Sequence, residues 1–121
     1  MTIEELYDQI GNLDDLSKRI RRRDRQIYFV RKFLNNTSMD KLAQAMEDKD
    51  VTAAFEAIHD VKGTSLNLSF TRLGASSTLL SDTIKGKTSW DELPENIGQL
   101  YADTKRDYDE VVAAINELTD E

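Results

Sequence analysis

The chain of 121 residues is 39% hydrophobic and 32% charged, carries a net charge of −7, and holds 5 glycines, 1 proline and no cysteine. This balance suits one helical domain better than a β-sandwich, which draws on more turn residues and more β-branched runs. Disulfides, thiolate zinc sites and thiol nucleophiles are excluded together, and no apolar run approaches the roughly 20 residues that cross a bilayer.

The opening Thr2-Ile3-Glu4-Glu5 lacks a signal-peptide core, so the expectation is a soluble, cytoplasmic protein with no membrane partner. Charge is segregated along the chain. Residues 1–17 carry five acids and no base, and residues 88–121 sum to −8. Residues 18–32 sum to +7 and residues 62–87 to +3. The acidic total argues against a dedicated nucleic-acid binder.

Ile3, Leu6, Tyr7, Ile10, Leu13 and Leu16 recur at helical spacing after Thr2, with Glu5 placed for a capping box. Gly11-Asn12 interrupts them, so residues 2–16 read as one short helix or two. From Ser17 to Leu34 a further helix is expected, with Ile20, Ile27, Val30 and Leu34 on its inner face and Phe29 and Phe33 beside them. Its arginines fit a solvated face paired with the acidic ends of the chain better than a nucleic-acid or anionic-membrane patch. Asn35-Asn36-Thr37-Ser38 offers a break or a capped restart. Met39, Leu42, Ala43 and Met46 then continue the stripe to Asp48, leaving 20–48 open as one bent helix or two.

Asp50 is placed to cap a central helix from Val51 to Leu68. At about 100° per residue, Val51, Ala54, Phe55, Ile58, Val61, Ser65 and Leu68 form its buried stripe. His59 falls at the stripe's edge, beside Phe55 and Leu66. An antiparallel helix follows from Phe70 to Lys85, repeating Leu73, Ser77, Leu80 and Ile84, and is stopped by Gly86. Trp90 folds over the end of the bundle, and Pro94 starts the last helix. Ile97, Leu100, Tyr101, Thr104, Tyr108, Val111, Val112, Ile115 and Leu118 make its inner stripe. The predicted fold is all-α: an up-and-down four-helix bundle over 20–118, with residues 1–18 as a short N-terminal helical addition, all in one domain.

His59 is the only histidine. Alone and without cysteine it makes neither a triad nor a zinc set, so no metal site is expected. Such a residue at a helix edge is most often an ordinary surface side chain. Its neighbours point elsewhere. Lys62 and Gly63 lie three and four positions on, over the same helix face. An accessible imidazole suits phosphoryl relay, which needs positioning and charge neutralisation more than covalent machinery. Lys62 would offset the charge arriving on the phosphoryl oxygens, and Gly63, at a cost of about 1 kcal/mol to the helix, would leave room for another protein's active site. The metal would come from that partner, and the chain itself would be neither an enzyme nor a cofactor binder.

The run His59-Asp60-Val61-Lys62-Gly63-Thr64-Ser65, followed by Leu66-Asn67-Leu68, resembles the signature of histidine-containing phosphotransfer (HPt) domains. These are four-helix-bundle carriers in multistep His–Asp relays. The likeness in layout runs from Arg23 to Lys87. It implies that His59 is the phosphoacceptor, assisted by Lys62 and Gly63. Phe55 and Leu66 would form apolar ground for a docking receiver domain, with Lys85 facing the histidine from the neighbouring helix. Ser81 stands where some members have a ring-orienting glutamine, and Ser69 where the family has glycine. The implied partners are receiver domains of response regulators or hybrid kinases, met by a monomer. The alternatives are a binding module that carries no phosphate, and the N-terminal phosphoacceptor domain of a chemotaxis-type kinase.

Overall fold

Thr2 and Glu5 open the chain with the expected reciprocal cap. The Thr2 hydroxyl accepts the Glu5 N–H at 3.2 Å, and the Glu5 carboxylate accepts the Thr2 N–H at 3.0 Å. The helix so started, α1 (Ile3–Ile10), stops at Gly11, and Asn12 caps a second one, α2 (Leu13–Arg19), by accepting the Asp15 N–H at 2.9 Å. Residues 2–16 therefore belong to two helices. The computed structural model describes residues 1–120, and within them all regular structure is helical.

The single helix expected over 17–34 is instead broken at 20–22, and α3 runs Arg23–Lys32. Buried Gln26 holds the break, donating to the Ile20 carbonyl at 2.7 Å and the Ser17 hydroxyl at 3.1 Å. A 3₁₀ turn, Phe33–Asn35, separates α3 from α4 (Ser38–Asp48), so 20–48 is not one bent helix. That turn also corrects the expected burial of Leu34. A 3₁₀ turn rotates faster than an α-helix, and it swings Phe33 inward to 3% exposure while Leu34 stays 38% exposed. The Phe33 ring meets Phe70 edge-on at 5.2 Å and lies 5.6 Å from Tyr108.

Asp50 caps α5 (Val51–Asn67) as expected, accepting the Ala53 N–H at 3.1 Å. Ser69 ends it with φ +57°, a left-handed conformation that favours glycine. The chain then turns into α6 (Thr71–Ile84), which stops ahead of left-handed Gly86. Trp90 heads a second 3₁₀ turn, half-buried against the core. The last helix, α7 (Ile97–Asn116), starts three residues later than expected: Pro94 sits in a turn whose carbonyl accepts the Ile97 N–H at 3.1 Å.

Packing follows chain order, with α5 lying against both α4 and α6, and α6 against α7. The N-terminal segment is no mere addition. Ile3, Leu6, Tyr7 and Leu16 are buried in the same core as α5 and α6, and α1 packs on α7. The two ends are stitched together: the Met1 ammonium donates to the Glu117 carbonyl at 2.7 Å, and the Ile3 N–H to Asp120 Oδ2 at 2.8 Å. The arginine-rich segment does pair with the acidic ends. Arg23 bridges Glu4 and Asp120, and Arg31 donates to the Leu118 carbonyl at 3.1 Å. Exposed pairs of this kind are screened by water, so they fix orientation more than stability.

Gly11 is where the N-terminal helices meet the α5–α6 turn. A Cβ at Gly11 would stand 2.3 Å from the Ser69 carbonyl oxygen and 2.8 Å from the Tyr7 ring. That carbonyl accepts the Asn12 N–H at 3.0 Å, and the Tyr7 hydroxyl donates to the Leu68 carbonyl at 2.7 Å. Ser69 in turn donates from its hydroxyl to Asp15 Oδ2 at 2.8 Å and is held by Arg19. The side chain that glycine would lack is thus tied to α2.

Candidate functional site on α5

His59 lies on the exposed face of α5. Its ring stacks on Phe55, with centroids 5.6 Å apart and planes 25° from parallel. Phe55, expected in the buried stripe, is only half-buried, so it forms a ledge between core and solvent beside fully buried Ala54 and Ile58. No hydrogen bond among the described residues engages the imidazole nitrogens, so the ring is held by its apolar face alone. Either nitrogen, in the tautomer that leaves it unprotonated, can offer its lone pair.

Gly63 stands one turn on, and a Cβ there would meet nothing within 4 Å. Nothing in the chain requires glycine at that position. The ~1 kcal/mol that glycine costs a helix interior is therefore unexplained by internal packing, and the space over this face is open to a partner. Gly74 on α6 is different. A Cβ at Gly74 would come 3.0 Å from Leu66 Cδ2, so Leu66 leans across α6 while remaining 49% exposed.

Lys62 shares the His59 side of α5 but reaches across to α6, where its Nζ lies 3.7 Å from Asp82 Oδ1. Its side chain is 27% exposed against 62% for Asp82. Lys85 is exposed at the C-terminal end of α6. Ser81 is only 2% exposed, so it belongs to the buried side of α6 and offers no accessible surface. On the other flank, Asp60 is occupied. It accepts from the Ser38 hydroxyl, and from the Asn36 amide at 3.3 Å, tying α5 to the start of α4.

His59, Phe55, Lys62, Gly63 and Leu66 thus share one accessible region, and Lys85 is exposed on the neighbouring helix. Two contributors escaped the sequence reading. Leu79 on α6 is an apolar side chain 56% exposed, one turn before Asp82, and Asp82 holds Lys62. Both follow from the register of α6 against α5, which no spacing within one helix reveals. Among the described residues no group of three His, Cys, Asp or Glu side chains could hold a metal ion, and no helix is long and apolar enough to cross a membrane. A groove of about 530 Å³ between α3 and the C-terminal half of α5 is lined by Phe29, Phe33, Asn36, Thr64 and Leu68 but not by His59. The histidine sits on an open face, a shape suited to another protein surface more than to a small substrate.

Comparisons with protein-family models, with curated proteins and with solved structures find no match for this chain.

Proposed function

We propose that this protein is a phosphocarrier of the histidine-containing phosphotransfer kind, taking a phosphoryl group on His59 from a receiver-domain aspartyl phosphate and passing it to another receiver. The observation that carries the reading is a solvent-exposed, hydrogen-bond-free imidazole stacked on Phe55, with a lysine and an open glycine on the next turn. The reading includes an up-and-down four-helix bundle of α4, α5, α6 and α7. Sequential packing of α4 on α5, α5 on α6 and α6 on α7 supports that topology. It also includes a single cytoplasmic domain acting as a monomer, with no cofactor of its own.

The chemistry balances without any group beyond donor and acceptor. A lone pair on one imidazole nitrogen forms the N–P bond as the acyl-phosphate O–P bond breaks. The bonding pair leaves on the aspartate carboxylate, and the proton on the second ring nitrogen stays or passes to water. The chain's own part is positioning and charge. Phe55 orients the ring, Lys62 faces the arriving oxygens, and Gly63 leaves room for the receiver. Leu66 and Leu79 give that receiver apolar ground, and Lys85 gives it a basic rim. The partner supplies the metal and the acidic pocket, so transfer rates should fall as added salt screens the encounter.

The test is transfer from a phosphorylated receiver domain. Wild-type protein should acquire an acid-labile, alkali-stable label that His59→Gln abolishes. A label that survives the substitution would refute the assignment. If no label appears on the wild type while the receiver still binds, the protein is a docking module, the reading that exposed Leu66 and Leu79 would serve equally well.

A further inference from the structure

The α5–α6 contact at Lys62 bears directly on how that histidine would be charged with phosphate. In the uncharged protein Lys62 is not a free cation, because its Nζ stands 3.7 Å from Asp82 Oδ1. Burial of the two partners differs. Lys62 lies low between α5 and α6, and Asp82 sits on the outer side of α6, where it can swing away into water. Lys62 is one helical turn from His59, within the reach of i,i+3 neighbours. A phosphoryl group on His59 therefore competes with the Asp82 carboxylate for the same ammonium.

We infer that Asp82 is a positioning residue that holds Lys62 in reserve, restraining phosphorylation of His59 until the phosphoryl group itself draws the lysine away. The inference rests on the phosphocarrier reading for its biological meaning. Asp82 has no hydrogen bond to the ring and acts through Lys62. The effect runs through that one contact: the carboxylate occupies the cation that the incoming oxygens need. Removing it should speed phosphorylation and lengthen the life of the phosphohistidine. Because the Asp82 carboxylate is solvent-accessible, the effect is modest, about three-fold, and shrinks as salt screens it.

The experiment uses phosphoramidate, a small donor that needs no partner, with phosphohistidine followed by intact mass and ³¹P NMR. This separates the two ideas: failure of a receiver to transfer would overturn the relay while leaving this rate measurable. Asp82→Asn should raise the rate about three-fold over wild type at low salt, the factor expected for releasing a partly exposed pair. Asp82→Glu, which keeps the carboxylate, should return the rate to the wild-type value. In a Lys62→Ala background, Asp82→Asn should have no effect, an outcome that a merely structural role for Asp82 would not produce. An unchanged rate in Asp82→Asn overturns the inference. So does an equal rise with and without Lys62, which would mean that Asp82 repels the donor directly.

Discussion

Substituting Gly63 by alanine separates what the helix prefers from what the site requires. The added methyl meets nothing within 4 Å in the chain, so no packing cost opposes the change. Alanine in place of glycine in a helix interior is worth about 1 kcal/mol. For a domain of this length that raises Tm by about 3–5 °C. The receiver pays the opposite sign. A methyl intruding into a close-packed interface costs about 1–3 kcal/mol, so transfer from a phosphorylated receiver should slow about ten-fold, the equivalent of roughly 1.4 kcal/mol. Thermal unfolding by circular dichroism and a stopped transfer assay, run on the same preparations, read the two effects. A stabilised variant with undiminished transfer would refute the idea that Gly63 makes room for the partner. A destabilised one would refute the reading of the space as open.

Two further substitutions probe the junction that positions α5. Gly11→Ala should lose about 3 kcal/mol in chemical denaturation, at the upper end for overpacking, because its Cβ would meet the Ser69 carbonyl, a backbone atom already hydrogen-bonded and unable to yield; a loss below about 0.5 kcal/mol, the range of neutral surface changes, would show that the turn adapts. Asp15 is held below its ordinary value of 3.8 first by the Ser69 hydroxyl and then by Arg19. A carboxyl depressed in the folded state stabilises above its unfolded value, and that contribution is lost as pH falls through the folded one. Stability should therefore drop below about pH 4, and Ser69→Ala should flatten that acid limb in urea melts taken across pH 2–5; an unaltered limb would remove Ser69 from the account.

Much of the local structure was legible in the sequence. The Thr2–Glu5 box, the Asp50 cap and the stop before Gly86 depend on groups three or four residues apart, and helix geometry brings those together whatever the rest of the chain does. The buried stripe of α6 follows from the same periodicity. Where the local rule changed, the reading slipped. The 3₁₀ turn at Phe33–Asn35 altered the rotation per residue and exchanged Phe33 for Leu34. Gln26 broke the expected long helix by capturing a carbonyl that no propensity assigns to it.

The run from Phe55 to Leu66 lies on one helix, so the sequence by itself determined that His59, Lys62 and Gly63 would neighbour one another. Their spacing is set by backbone hydrogen bonds within α5. What the tertiary structure decided is everything that crosses between helices. It put the N-terminal segment into the core and turned Ser81 inward. It brought Asp82, 20 positions away in the chain, against Lys62. It also set Ser69 in a left-handed turn against Gly11, 58 positions away, with a hydroxyl that glycine would lack. Such contacts depend on which faces pack and in what register, quantities that arise only when several amphipathic helices bury their stripes together.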